Sequence, residues 1–322
     1  MTAEGKLIVL IGPTAVGKTK MSIELAKAFN GEIISGDSMQ IYKKLDIGTA
    51  KIKTSEMEGI PHHLIDLLDP HESFSVAQFQ ELVREKISDI VGRGKQPFIV
   101  GGTGLYIQSV LYDFQFSEAP SDEAFRQRME MLANEKGNQY IHEHLINIDP
   151  DSANRIHPNN LRRVIRALEV FHCTGKTMTE LVRTQSPKML FDTAVIGLTM
   201  EREKLYERIN QRVDLMINEG LLHEVESLYR SGLRNCQSIQ GIGYKELYQY
   251  FDGDVPIQEA VEKLKQNSRR YAKRQLTWFR NKMDVEWFDM TSATSSSNEF
   301  TKKNSEISAY IEGKLKIKSN TY

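Results

Sequence analysis

Cysteine is scarce in this chain: Cys173 and Cys236 are the only two among 322 residues. The pair matches neither a disulfide framework nor the spacing of a zinc site, and it suits a reducing cytosol. Long apolar runs are missing too. Met1 to Lys6 is polar and the run behind it is only a strand's length, so neither a signal peptide nor a membrane span is expected. Nor does one sign of charge dominate: 42 Lys and Arg face 43 Asp and Glu, a net charge of -1. A polyanionic partner must therefore show itself as a local patch. Glycine and proline are not in excess, which leaves the composition of an ordinary soluble protein. The length suffices for one large or two modest domains.

What is present starts with Gly12-Pro13-Thr14-Ala15-Val16-Gly17-Lys18-Thr19, the spacing G-x-x-x-x-G-K-[ST]. It follows Leu7-Ile8-Val9-Leu10-Ile11, which reads as a buried parallel strand. After it, Lys20 to Phe29 carries Met21, Leu25, Ala28 and Phe29 at helical spacing, and Asn30-Gly31 is a stop signal. Strand, glycine loop and helix in that order make a phosphate cradle. Backbone N–H groups converge on an anion at the positive end of the helix. Lys18 adds a point charge, and the Thr19 hydroxyl is placed for Mg2+.

Strand and helix signals alternate over the first ~115 residues, the mark of a parallel α/β sheet. Glu32 to Ser35 and Pro97 to Val100 read as strands, and Phe74 to Val91 as a helix. From about Phe116 to Pro187 the pattern is helical only. Thr193 to Met200 returns to a strand, long helices follow, and Ser292 to Ser297 reads as a link to a charged tail. The expected fold is α/β, a P-loop NTPase-like parallel sheet core with an all-helical insertion domain. The core spans 1–116 and 188–290, the insertion 117–187 and a flexible tail 291–322.

Several residues are placed for chemistry. Asp37 closes the second strand, and ligands in open α/β sheets bind beyond the carboxyl ends of strands. It can hold Mg2+ through water, act as a general base, or merely shape a turn. Thr103, in the Gly101-Gly102-Thr103-Gly104 turn, lies at the same edge and either orients a substrate or serves structure. The strand before it ends in glycine, where P-loop ATPases and GTPases usually carry a magnesium-binding aspartate. That absence favours a diphosphate that leaves over a terminal phosphate that is transferred.

Three stretches suit anions. Arg208 and Arg212 sit four apart at the margin of an apolar helix face, where an arginine can reach a bound phosphate. Arg162, Arg163 and Arg166 share the polar face of a helix from Leu161 to Thr174 that ends at Gly175. The segment Ile257 to Lys282 holds eight Lys and Arg against Glu259 and Glu262, a patch that suits a polyanion. Ahead of it, Gln240-Gly241-Ile242-Gly243-Tyr244-Lys245 is a glycine-kinked loop. It either approaches a ligand, with Tyr244 stacking on a base, or is a plain connection.

Taken together these motifs resemble the tRNA dimethylallyltransferases, also called tRNA isopentenyltransferases. The likeness runs through the phosphate loop, Asp37-Ser38-Met39-Gln40-Ile41-Tyr42, Asp46-Ile47-Gly48-Thr49-Ala50-Lys51 and Pro61-His62-His63. It continues in Val100 to Tyr106, Arg166-Ala167-Leu168-Glu169-Val170, Gly241 to Tyr244 and Lys273-Arg274-Gln275-Leu276-Thr277-Trp278-Phe279-Arg280. Val16 departs from a frequent serine at a position where a backbone donor survives. The zinc-finger tail of eukaryotic members is missing, so the chain looks like the bacterial form.

The resemblance implies transfer of a dimethylallyl group from dimethylallyl diphosphate to the exocyclic amine of the adenosine 3′ of the anticodon. Gly12 to Thr19, Arg208 and Arg212 would hold the donor, with Mg2+ at Thr19. Asp37 would take the amine proton and Thr103 would help bind the adenosine. Ser38, Met39, Gln40, the three arginines at 162, 163 and 166, Gln240 to Lys245 and Lys273 to Arg280 would contact the anticodon stem-loop. A cytoplasmic monomer without a membrane partner is expected. The rivals are an ATP-dependent small-molecule kinase and a non-catalytic RNA-binding module.

Overall fold

The computed structural model describes residues 5–112, 114, 122–183 and 188–320. Six strands, β1 (Lys6–Ile11), β2 (Gly31–Gly36), β3 (His62–His63), β4 (Gln96–Gly101), β5 (Asp192–Thr199) and β6 (Glu286–Asp289), form one sheet. Its order is β3-β2-β4-β1-β5-β6 and every pairing is parallel. Leu7 to Ile11 are fully buried in the centre, which is why that run is continuously apolar rather than alternating. Each such side chain contributes roughly 1.5–3 kcal/mol.

Helices α1 (Lys18–Ala28), α2 (Val76–Gly92) and α3 (Gly104–Leu111) punctuate the first four strands. Ser75 caps α2, its hydroxyl accepting the Gln78 N–H while the Gln78 side chain accepts the Ser75 N–H. The chain then divides into two compact units, Met1–Leu111 with Met189–Tyr322, and Tyr112–Lys188. The segments expected to open and close the insertion, at 116–121 and 184–187, lie outside the described residues.

The second unit carries α4 (Glu123–Lys136), α5 (Asn138–Ile148), α6 (Pro150–Arg155), α7 (Leu161–Thr174) and α8 (Met178–Arg183). Its own core gathers Ile141, Leu145, Val164, Ile165 and Leu168. Glu169 is fully buried and satisfied on all sides. It takes Arg126 Nε at 2.8 Å, Arg166 Nη1 at 2.6 Å and the Asp122 N–H at 2.8 Å.

Back in the sheet unit run α9 (Arg202–Asn218), α10 (Leu221–Arg230), α11 (Tyr244–Phe251), α12 (Ile257–Lys282) and α13 (Ser297–Leu315). Two elements correct the sequence reading. Glu286 to Asp289 adds an edge strand, β6, against β5. The expected flexible tail over 291–322 instead holds α13, which buries Ile307, Ile311 and Leu315 in the core with Met21, Leu25 and Ile196. Three apolar residues at four-residue intervals give that helix an inward stripe. No described helix is long and apolar enough to cross a membrane.

Candidate active site

Helix α1 can start at Lys18 because Gly17, at φ 105°, supplies a left-handed turn that a side chain would resist. Ala15 is left-handed as well, at φ 66°, so the loop amides curve around a concavity of the kind that binds anions. Lys18 Nζ donates to the Gly12 and Pro13 carbonyls at 3.0 and 2.8 Å. Burial, and then repulsion from Arg212, lower its pKa to about 7 against the pull of Asp37. From α9, Arg208 Nε donates to the Ala15 carbonyl at 2.9 Å and Arg212 Nη1 to the Thr14 hydroxyl at 3.2 Å. A cavity of about 420 Å³ opens here, with Lys18, Thr19, Asp37, Arg208 and Arg212 in its wall. With Lys20, four Lys and Arg against one carboxylate make it a place for an anion.

Asp37 follows directly on β2, and its Oδ1 accepts the Met39 N–H at 2.9 Å. Burial raises its pKa, outweighing that hydrogen bond and the attraction of Lys18 and Arg212. The next residue, Ser38, donates its N–H to Thr103 Oγ1 at 3.2 Å, while the Thr103 N–H returns to the Gly36 carbonyl. The ends of β2 and β4 are thereby stitched together around the carboxylate. A second cavity, of about 380 Å³, lies beyond it with Met39, Ile209, Val213 and Leu264 in its wall. Thr14, Asp37, Thr49, Arg212 and Tyr271 border both spaces. A ligand with an anionic end and an apolar end can span them, and it passes Asp37 on the way.

Among the described residues no group of three His, Cys, Asp or Glu converges on a metal position. Thr19 borders the cavity at the glycine loop instead. One hydroxyl completed by phosphate oxygens and water is the hard-donor set that Mg2+ accepts, so the residues fit that ion.

The family model described as IPP transferase matches residues 40–282. A tRNA dimethylallyltransferase of Anoxybacillus flavithermus is 65% identical over 315 residues, 98% of this chain and 99% of that one. The Bacillus cytotoxicus tRNA dimethylallyltransferase is 63% identical, covering 98% and 97%. The solved full-length tRNA isopentenylpyrophosphate transferase from Bacillus halodurans is 53% identical, with TM-score 0.72 over 97% of this chain and 98% of that one.

The chain belongs to the IPP transferase family.

A eukaryotic dimethylallyltransferase acting on tRNA has the same fold at TM-score 0.82 and 32% identity, over 98% of this chain and 81% of that one. This IPP transferase is thus a prenyltransferase enzyme, and nothing in these relatives supports the kinase alternative.

Within this IPP transferase the residues expected to meet RNA divide. Successive helical residues lie ~100° apart, so the run Lys273 to Arg280 cannot present one face. Lys273, Arg274, Thr277 and Arg280 are exposed, whereas Gln275 and Phe279 are buried. Leu276 packs on the core, and the Trp278 ring lies against Gly104. Contact along the whole run is therefore corrected: only the outward four face solvent. Base stacking by Tyr244 is corrected too: its ring is 1% exposed and its hydroxyl donates to Glu224 Oε1 at 2.7 Å. All of Gln240 to Lys245, Tyr244 included, lines the second cavity. Arg166 is engaged by Glu169, while Arg162 and Arg163 are exposed. Gln40 accepts from the Ser35 hydroxyl at 2.9 Å and donates to the Thr49 carbonyl at 3.3 Å.

Sequence reasoning passed over Tyr271 and Thr49. Tyr271 looks like core on the helical wheel, yet it stands where the two cavities meet, with its phenol pushed up to about 12 by burial and in hydrogen-bonding reach of Thr103. Its alignment with Leu264, Ser268 and Gln275 at helical spacing was the available signal.

Proposed function

We propose that the chain carries a dimethylallyl group from dimethylallyl diphosphate to the exocyclic amine of the adenosine 3′ of the tRNA anticodon. The diphosphate lies over Lys18 and the amine against Asp37. The observation that carries this reading is the place of Asp37 in the wall of both cavities, one lined by the phosphate loop and the other carrying Met39, Ile209, Val213 and Leu264 beside Arg212, Lys245 and Arg274. The end of β4 agrees with it. Gly101 and Gly102 stand where P-loop ATPases and GTPases usually carry a magnesium-binding aspartate, which favours a diphosphate that leaves over a terminal phosphate that is transferred.

Lys18, Arg208, Arg212 and the loop amides balance the negative charge that grows on the diphosphate as its bond to carbon breaks. Mg2+, when held by Thr19 and the diphosphate, supplies further charge neutralisation. Asp37 accepts the amine proton as nitrogen bonds to the allylic carbon. Its raised pKa makes it a stronger base than an ordinary carboxylate. Thr103 and Ser38 shape the turn against which the adenine rests, a base that must first leave its stack. Lys273, Arg274 and Arg280 on α12, with Arg162 and Arg163 on α7, take the phosphates of the anticodon stem-loop. Two unpaired thiols and a tRNA substrate fit the cytoplasm.

The test is incubation with unmodified tRNA, Mg2+ and dimethylallyl diphosphate, followed by mass analysis of the digested nucleosides. A prenyl mass gain on that adenosine is expected. Adenosine recovered unchanged overturns the reading.

A further inference from the structure

Glu224 lies outside the roles given above, yet its carboxylate is among the most heavily bonded in the sheet unit. It projects from the first turn of α10 toward the Asp46–Ala50 loop. Oε2 accepts the N–H groups of Asp46 and Ile47 at 2.9 and 2.7 Å, and Oε1 accepts that of Gly48 at 3.0 Å. Three successive amides on one carboxylate is the geometry by which backbone captures an anion. Oε1 also accepts the Tyr244 hydroxyl at 2.7 Å. Burial and the nearby Glu224 charge raise the Tyr244 pKa, so the phenol stays a donor.

This loop is a wall of the site. Gly48 borders the second cavity, Ala50 the cavity at the glycine loop and Thr49 both. On its other side Gln40 Nε2 holds the Thr49 carbonyl. The packing leaves no slack: a Cβ at Gly48 would stand 2.6 Å from the Tyr244 ring.

We propose that Glu224 is a positioning residue for prenyl transfer. With Tyr244 as its second anchor, it sets the shape of the loop that closes both cavities around the reacting carbon. The inference rests on the donor and adenosine placement proposed above. Wild-type turnover tests that placement, and the variants alone test Glu224.

The experiment compares Glu224→Ala, Tyr244→Phe and Gly48→Ala in the full chain. Each is assayed by steady-state kinetics against dimethylallyl diphosphate and unmodified tRNA, with melting temperature measured in parallel. Glu224→Ala should raise KM for both substrates at least fivefold and lower kcat about tenfold per folded molecule. Gly48→Ala should reproduce that pattern, because it drives the ring off the same loop. Tyr244→Phe removes one bond from Glu224 and should lose about threefold in kcat/KM. In the Glu224→Ala background that threefold should vanish, since the anchor it serves is gone. A purely structural role predicts a lowered melting temperature with both KM values and kcat unchanged, and that result overturns the proposal. If Glu224→Ala does not fold, Tyr244→Phe and Gly48→Ala with unchanged kinetics overturn it equally.

Discussion

Gln275 accepts the Thr14 amide hydrogen at 3.0 Å, and its own amide donates to the Gly102 carbonyl at 3.1 Å. One side chain of α12 thus ties the phosphate loop to the end of β4, from a position between the exposed Arg274 and the inward Leu276. Gln275→Ala should raise KM for the donor about tenfold, the effect of roughly 1.4 kcal/mol lost where a buried amide goes unpaired. Equilibrium binding of tRNA should stay within about twofold, a modest margin beside one lost hydrogen bond. Filter binding and donor titration separate the two, and a loss confined to tRNA affinity would return Gln275 to the RNA interface.

The pH profile of kcat/KM for the donor should be bell-shaped. On the acid side Asp37 must be unprotonated to act, and burial has moved its titration upward, so activity rises with pH through that raised pKa. On the alkaline side Lys18 must keep its proton to attract the diphosphate. With its pKa lowered to about 7, kcat/KM falls above that point. Bound diphosphate favours the charged lysine, so the alkaline limb of kcat lies higher than that of kcat/KM. Lys18→Arg, charged throughout, should abolish the alkaline limb, and a limb that persists unchanged assigns it elsewhere.

Salt should distinguish the basic residues by what they already hold. Lys273→Ala and Arg274→Ala should each reduce the slope of log affinity for tRNA against log salt by about 1. Arg166 pairs with the buried Glu169, so Arg166→Ala should act through stability. A loss of about 1–3 kcal/mol is expected from weakening a buried, hydrogen-bonded charge. Urea melts and salt titrations of the three variants check both halves.

The C-terminal helix offers a test independent of catalysis. Ile311 is fully buried, so Ile311→Ala should cost about 2–5 kcal/mol and lower the melting temperature. Donor KM should not move. A variant that melts like the wild type would detach α13 from the core.

The catalytic half of the fold was legible because its signals are local. Five apolar residues, a glycine loop and a lysine, Leu7 to Lys18, announce β1, the cradle and α1. Helix α7 was read with its boundary, since Gly175 at φ 67° provides the left-handed stop. Helix α13 was missed although Ser296 caps the Glu299 N–H and its apolar stripe repeats every four residues. The serine- and threonine-rich stretch before it masked both. Tyr244, left open between base stacking and a plain connection, was hard to place for a different reason. A polar aromatic beside two glycines looks exposed, and the Glu224 that holds it lies on another helix. No local pattern announces such a bond. Gln275 and Phe279 were counted among the RNA contacts because a motif is read as a string, whereas a helix turns it.

The Leu190 N–H donates to the Leu111 carbonyl at 2.9 Å. Both residues belong to the sheet unit, so the place where the backbone leaves that unit and the place where it returns are joined by a hydrogen bond, and the residues between them form an excursion from it. Doubling the length of such an excursion costs only about 0.6 kcal/mol in closure entropy. Evolution can resize or rebuild that excursion while the strands that hold the phosphate loop and Asp37 keep their register.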